Sequence, residues 1–103
     1  MVTLGQLLKS KREEKNLLLR QVAAYLDIDQ AILSKIEKGD RKPNKDNINK
    51  LSEILQIDRE ELMVQFLSEK IAYEIVEEEC ATKALKVAEK KLKYLKSFKN
   101  GQI

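Results

Sequence analysis

The chain has 103 residues, of which 43% are hydrophobic and 36% charged, and it contains no histidine and a single cysteine. This length predicts one domain, or one domain with a short appendage. Without histidine there is no Ser-His or Cys-His catalytic pair and no imidazole metal ligand, and one cysteine forms no disulfide within the chain. We therefore expect neither an enzyme nor a metal or cofactor site.

The sequence also argues against a membrane protein. The first residues do not combine a basic stretch with a long apolar one, as a signal peptide does. The longest aliphatic run, residues 17–19, is far too short to cross a bilayer. A cytoplasmic protein is therefore expected.

Two short amphipathic helices are predicted in the first 26 residues. Thr3 is suited to cap the first helix, and Asn16, which tolerates the left-handed conformation, is suited to end it. The second helix is predicted over residues 19–26, and residues 27–29 form the turn that follows. The inward positions of the two helices are Leu4, Leu7, Leu8, Val22, Ala23 and Leu26.

A third and a fourth helix are predicted between residues 29 and 55. Asp29 is suited to cap the third helix, because its carboxylate accepts backbone N–H bonds, and Gly39 is suited to end it. Pro43 restricts the loop before it, and Asn44 is expected to cap the fourth helix. The inward positions of these helices are Ile32, Leu33, Ile36, Ile48, Leu51, Ile54 and Leu55.

Two short helices joined by a tight turn and flanked by supporting helices are typical of a DNA-recognition unit. Ala23 is small, as close crossing of the second and third helices requires, and Asp27 tolerates a left-handed turn position. Ile28 and Leu33 are apolar, as a fixed crossing angle requires. The exposed face of the third helix offers Gln30, Ala31, Ser34, Lys35 and Lys38 to base edges.

These residues carry a family resemblance. The stretch LLLRQVAAYLDIDQAILSKIEKGDRKP, residues 17–43, resembles the helix-turn-helix of the XRE family, the family of lambda repressor and Cro. The resemblance covers roughly residues 4–62 and is strongest at 22–23, Leu26, Ile28, 34–39 and Pro43. It implies an all-α fold, in which residues 1–62 form a five-helix lambda-repressor-like DNA-binding domain and residues 63–103 form a helical extension.

The resemblance implies that the third helix lies in the major groove of double-stranded DNA. Gln30 is then expected to form two hydrogen bonds with an adenine, and Ala31 to pack on a thymine methyl group. Ser34 and Lys35 are expected to reach base edges or phosphates, and Lys38 lies on the same face. The alternative is that these polar residues only solvate a surface.

Phosphate contacts are expected on both sides of the third helix. Arg20 and Gln21 open the second helix, and the cations of the following loop and fourth helix are Arg41, Lys42 and Lys45. The family's frequent Ser-Gln is replaced here by Leu18 and Leu19, so the usual cap and a phosphate-binding glutamine are absent, and Arg20 is the candidate to replace them. The resemblance also implies that Glu37 pairs with Arg12 and braces the core.

A fifth helix is predicted to begin at Asp58 and Glu61, which have the three-residue spacing of a capping box. A break is expected at residues 77–82, followed by a last helix to about Lys96 and a frayed end at residues 100–103. Cys80 is expected to be a small buried apolar residue. The apolar positions expected to share the inner face of the fifth helix are Leu62, Phe66, Ile71, Ile75 and Val76.

The last helix has a heptad-like seam formed by Ala81, Leu85, Ala88, Leu92 and Leu95. Residues 58–79 contain 2 Lys/Arg against 8 Asp/Glu, a net of −6, and residues 80–103 contain 7 against 1, a net of +6. Opposite charges in neighbouring segments indicate pairing, and we interpret the seam as a dimerisation element. The alternatives are a hairpin within one chain, a nonspecific DNA or acidic-partner surface, and two solvated helix faces.

These features together predict a homodimeric transcriptional regulator, a repressor that binds a pseudo-palindromic operator. An antitoxin or a controller of a restriction–modification operon, which would use the same module, is an alternative within this hypothesis. A second hypothesis is a protein-interaction module that keeps the scaffold and binds another protein through its C-terminal helices. No signature of a small-molecule ligand site is present in the sequence.

Overall fold

The structure, a computed structural model, describes residues 1–99, which form six α-helices and no strand. The helices are α1 (Leu4–Glu14), α2 (Leu19–Leu26), α3 (Gln30–Lys38), α4 (Lys45–Leu55), α5 (Arg59–Ile75) and α6 (Ala81–Lys99). The prediction of an all-α fold is confirmed, and the last helix extends three residues beyond Lys96. The predicted fraying at 100–103 lies outside the described residues. Within residues 1–99, no helix combines the length and the apolar character that a membrane span requires.

The starts of α1 and α4 are capped as their sequences predict. The Thr3 hydroxyl accepts from the Gln6 N–H at 3.2 Å, and the Thr3 N–H donates to the Gln6 amide at 2.9 Å. Asn44 and Asn47 exchange the same two bonds at 2.7 and 3.1 Å. Such reciprocal bonds satisfy N–H groups that have no partner within the helix, so each start is set by residues three apart in the sequence.

The start of α3 differs from the prediction. Asp29 has the extended backbone of an N-cap residue, but its carboxylate makes no capping hydrogen bond. Because Asp29 is exposed, water is available to the first N–H groups of α3, and a side-chain partner is not required there. The expectation that the Asp29 carboxylate caps this helix is therefore wrong, although the position of the helix start is right.

The first four helices end in the same backbone motif. A residue one or two positions after each helix end takes the left-handed conformation, with φ of 56° at Asn16, 57° at Asp27, 85° at Gly39 and 54° at Gln56. In each case the next N–H donates to a carbonyl five residues earlier at 2.9 or 3.0 Å, as in a Schellman motif. The apolar residues that follow three of these positions, Leu17, Ile28 and Ile57, pack against the core.

The core lies among the first five helices. α3 packs against α1 and α2, and α4 packs against the same two helices. Leu33, Ile48 and Leu62 are fully buried, and full burial of such a side chain contributes about 1.5–3 kcal/mol. The other buried apolar residues are Leu4, Leu8, Val22, Ala23, Leu26, Ile36, Leu51, Leu55 and Phe66.

The contacts within the chain divide it into two units, Met1–Lys70 and the residues from Ile71 on. The first unit contains the whole buried core. In α6 no residue is buried. Cys80 lies in the turn before α6 and is exposed, so the expectation of a buried cysteine is wrong.

The inner face of α5 is shorter than the sequence predicts. Leu62 and Phe66 are buried, but the side chain of Ile71 is 50% exposed and that of Val76 is 68% exposed. Ile71 follows Phe66 by five positions, which places it about 140° around the helix from Phe66. Val76 lies beyond the end of α5, in the turn. Apolar character alone therefore does not show that Ile71 or Val76 belongs to the buried side of α5.

Candidate nucleic-acid interface

The turn between α2 and α3 is built by local backbone bonds. Asp27, at φ 57° and ψ 46°, donates its N–H to the Ala24 carbonyl at 3.1 Å, and the Ile28 N–H donates to the Ala23 carbonyl at 3.0 Å. These bonds end α2 and turn the Ile28 side chain toward the core, where it is half-buried. Ala23 itself is 2% exposed, as expected for a residue where two helices approach closely.

The two sides of α3 have opposite character. Leu33 and Ile36 are buried and Ile32 is half-buried, all on the side that contacts α1 and α2. The predicted recognition residues follow an i, i+1, i+4, i+5, i+8 pattern and therefore share the other side of the helix. They are Gln30, Ala31, Lys35 and Lys38, which are exposed, and Ser34, which is half-buried. The structure brings these five positions together on one open face.

The carboxylate of Glu37 is held away from that face. Arg12 of α1 donates from Nε to Glu37 Oε2 at 2.7 Å and from Nη2 to Oε1 at 3.1 Å, and its Nη1 donates to the Leu17 carbonyl at 2.9 Å. The hydrogen bond to Glu37 raises the pKa of the Arg12 guanidinium, against the opposing effect of burial. A two-bond pair of this kind compensates a carboxylate whose side chain is only 6% exposed.

A glycine allows α1 to approach the carboxyl end of α3. A Cβ atom on Gly5 would clash with the Glu37 carbonyl oxygen and would lie 2.7 Å from that of Ile36. Both atoms belong to the backbone, so neither moves without shifting α3. Gly5 was not predicted from the sequence, because a glycine inside a helical pattern shows nothing about the distant carbonyls it contacts.

The start of α2 has an unusual arrangement. Leu18 occupies the N-cap position and its side chain forms no capping bond. Instead, the Leu18 N–H donates to the Gln21 side-chain oxygen at 2.7 Å. The Gln21 amide therefore keeps its NH₂ group as the donor available to an anion, and Arg20 beside it is exposed.

The second group of candidate phosphate contacts lies after α3. Arg41 and Lys42 are exposed in the loop, and Lys45 is exposed at the first position of α4. In the part of the chain that the structure describes, no ion pair within 4.0 Å involves Arg20, Lys35, Lys38, Arg41 or Lys45. None of these five side chains is therefore held by a carboxylate of the described residues.

The predicted dimerisation residues lie on α6. Ala81 is half-buried and Ala88 is exposed, while Leu85, Leu92 and Leu95 are 49%, 54% and 59% exposed. Such exposure is high for leucines and leaves the seam accessible to another surface.

One contact on the far side of α2 was not predicted from the sequence. The Tyr25 hydroxyl donates to Glu53 of α4 at 2.7 Å, and this hydrogen bond raises the pKa of Tyr25 above its ordinary value of 10.0. The bond connects two helices that also pack through the core.

Comparison with known proteins shows to which family the chain belongs. A helix-turn-helix family model matches residues 8–62, which is more than half of the chain and includes the whole of α2, the turn and α3. The chain belongs to this XRE-type helix-turn-helix family. The lambda-repressor-like fold expected for the first five helices is thereby confirmed.

Curated relatives of the chain are named as helix-turn-helix transcriptional repressors or regulators. The chain is 41% identical over 64 residues to the HTH-type transcriptional repressor RghR of Bacillus subtilis, covering 61% of this chain and 47% of the relative. It is 39% identical over 64 residues to the uncharacterized HTH-type transcriptional regulator RghRB of the same organism, covering 61% and 46%. This helix-turn-helix chain spans about half the length of the curated relatives it matches. No solved structure matches it significantly.

Proposed function

We propose that the protein is a cytoplasmic, sequence-specific DNA-binding transcriptional regulator, a repressor that acts as a homodimer on a pseudo-palindromic operator. The observation that supports it is the division of α3, whose inner side is buried while its outer side is polar and exposed. A recognition helix needs both properties, because base contacts require side chains held in a fixed frame. The repressor name of one relative agrees with this function.

The recognition residues have distinct roles in this proposal. Gln30, in the first turn of α3, binds an adenine with its amide, and Ala31 packs on a thymine methyl group. Ser34 and Lys35 reach base edges or phosphates from the next turn, and Lys38 lies on the same side one turn further. These contacts select the sequence, while the cations around them supply affinity for any DNA.

The proposed phosphate contacts lie on both sides of α3. On one side, Arg20 and the Gln21 NH₂ group bind the backbone near the start of α2. On the other side, Arg41, Lys42 and Lys45 bind it from the loop and the start of α4. In this arrangement Arg12 and Glu37 do not touch DNA, because their charges are satisfied by one another.

In the proposal, residues 1–62 form the DNA-binding domain and residues 63–103 are a helical extension that joins two chains. One domain makes few base contacts, and a genome offers a large excess of competing sites. Two domains related by a two-fold axis bind half-sites about 34 Å apart, or a multiple of that distance. The exposed apolar seam of α6 supports this role of the extension.

The test is selection of bound sites from random double-stranded DNA, followed by affinity measurements with Gln30→Ala. We expect a palindromic consensus, a loss of about 1–3 kcal/mol for the variant, and relaxed preference at one position of each half-site. Gln65→Ala is the matched control, because Gln65 is also exposed but lies on α5. An unchanged site preference in Gln30→Ala contradicts the role assigned to Gln30, and selection of no sequence at all contradicts the proposed function.

The exposed seam of α6 also favours a second candidate, a protein-interaction module that keeps the scaffold and binds another protein through its C-terminal helices. In that case random DNA yields no consensus, and substitutions on the outer side of α3 have no effect on complex formation. An antitoxin or a restriction–modification controller, in contrast, still selects a DNA sequence.

A further inference from the structure

A second apolar surface lies on α5, on the side opposite its buried residues. Val64, Leu67 and Ile71 follow one another at spacings of three and four residues and are 54%, 38% and 50% exposed. Ile75, four residues further, extends the row and is half-buried. Leu62 and Phe66 fill the core from the other side of the helix. We call Val64, Leu67, Ile71 and Ile75 the α5 stripe.

The α5 stripe is suited in length and in character to the seam of α6. From Val64 to Ile75 the stripe covers eleven residue steps, about 17 Å along the helix, and from Leu85 to Leu95 the seam covers ten, about 15 Å. Both surfaces expose aliphatic side chains by 38% or more, apart from Ile75 and the alanines. Each of the two surfaces is therefore available to an apolar partner helix.

Charge decides between the possible pairings of these surfaces. In α5 itself there are four glutamates against one arginine and one lysine, a net of −2, so two α5 helices side by side gain nothing from charge. In α6 there are seven lysines against one glutamate, so two α6 helices side by side repel each other. Only α5 against α6 brings helices of opposite net charge together: Glu74 and Lys70 flank the α5 stripe, and Lys91 and Lys96 flank the seam of α6.

We propose that in the dimer the seam of each α6 packs on the α5 stripe of the second copy of this chain. A two-fold axis makes this contact twice, since in an isologous interface residue i contacts residue j and j contacts i. The inference rests on the proposed function in one respect, because it names the surfaces that join the homodimer. The contact shares no residue with the outer side of α3, so it uses neither Gln30 nor Lys35.

The test uses two complementary variants of the full chain. The first, Leu67→Lys with Ile71→Lys, disrupts the α5 stripe and keeps the seam. The second, Leu85→Glu with Leu92→Glu, disrupts the seam and keeps the stripe. Sedimentation equilibrium is measured for the wild type, for each variant alone and for an equimolar mixture of the two, without DNA.

We expect a dimeric wild type and, for each variant alone, a dimer dissociation constant at least about 100-fold higher. The mixture is expected to form heterodimers, because one of its two contacts is intact and the other sets introduced lysines against introduced glutamates. The matched controls Gln65→Lys and Lys90→Glu change the charge of α5 and α6 away from the two surfaces and are expected to remain dimeric.

Each contrary result overturns the proposal in a defined way. If the first variant dimerises alone, the contact is α6 with α6, and if the second does, it is α5 with α5. A monomeric wild type, or a mixture without heterodimers, also overturns the pairing. Alanine versions of both variants repeat the test if circular dichroism shows that a charged version has lost helix. A monomer that still selects a DNA sequence overturns this inference and the proposed homodimer, while the proposed DNA recognition by α3 stands.

Discussion

The third and sixth helices are similar in residue composition but differ in how far their apolar side chains are buried. Both are amphipathic and rich in lysine, and each has a row of aliphatic side chains. In α3, Leu33 is 0% exposed because α1 and α2 cover it, whereas Leu92 of α6 is 54% exposed. The comparison teaches that an apolar row becomes part of a core only where other elements cover it. The covered row positions a recognition surface, and the exposed row remains available for a partner.

The largest expected effect comes from truncating a leucine to alanine in α3, compared with the same change in α6. Leu33→Ala removes a fully buried side chain and leaves a cavity, so the free energy of unfolding is expected to fall by about 2–5 kcal/mol. Leu85→Ala is expected to change it by less than about 0.5 kcal/mol, because that side chain is already half in water. Urea unfolding followed by circular dichroism, at a concentration where the chain is monomeric, measures both.

The comparison between α3 and α6 breaks down if the two leucine variants lose similar stability under those conditions. Such a result means that the seam is buried within a single chain. An intrachain hairpin is then the better account of the C-terminal residues.

An intermediate effect is expected from Gly5→Ala. In an open helix this change stabilises by about 0.5–1 kcal/mol. Here the new Cβ meets the Glu37 and Ile36 carbonyl oxygens, so we expect a net loss of about 1–3 kcal/mol together with weaker operator binding, because α3 must shift. Thermal unfolding and a DNA titration measure the two effects, and Ser10→Ala, at an exposed position of α1, is the control. Unchanged DNA affinity means that α1 does not help to position α3.

The smallest effect concerns the bond from Tyr25 to Glu53. Because this bond raises the pKa of Tyr25, it favours folding while the tyrosine is protonated, and that contribution is lost as the pH rises through the folded-state pKa above 10.0. Absorbance titration of the wild type is expected to show a tyrosine that ionises late, and Tyr25→Phe to remove that phase. Glu53→Gln is expected to move the pKa of Tyr25 back toward its ordinary value, and an unchanged titration contradicts the assignment.

Much of the candidate interface was predictable because its determinants are local. Val22, Ala23 and Leu26 were assigned to the inner face of α2 from periodicity, and all three are buried. The left-handed position of Asp27 follows from its place between two helical patterns. Gln56 takes the same conformation and was not predicted, because glutamine has no special preference for it. The left-handed conformation of Gln56 is instead stabilised by the hydrogen bond from the Ile57 N–H to the Ser52 carbonyl and by the packing of Ile57 against the core.

The sequence by itself determined the number and order of the described helices, the capped starts of α1 and α4, and the polar outer side of α3. These features depend on hydrogen bonds and on apolar periodicity within a few residues, and both can be recognised in a short stretch of sequence. Only the tertiary structure decided which apolar residues are buried, that Gly5 lies against the end of α3, and that Val64, Leu67 and Ile71 form an exposed stripe. The physical reason is that burial depends on which elements come together in space, and contacts between distant residues leave no periodic trace in the sequence.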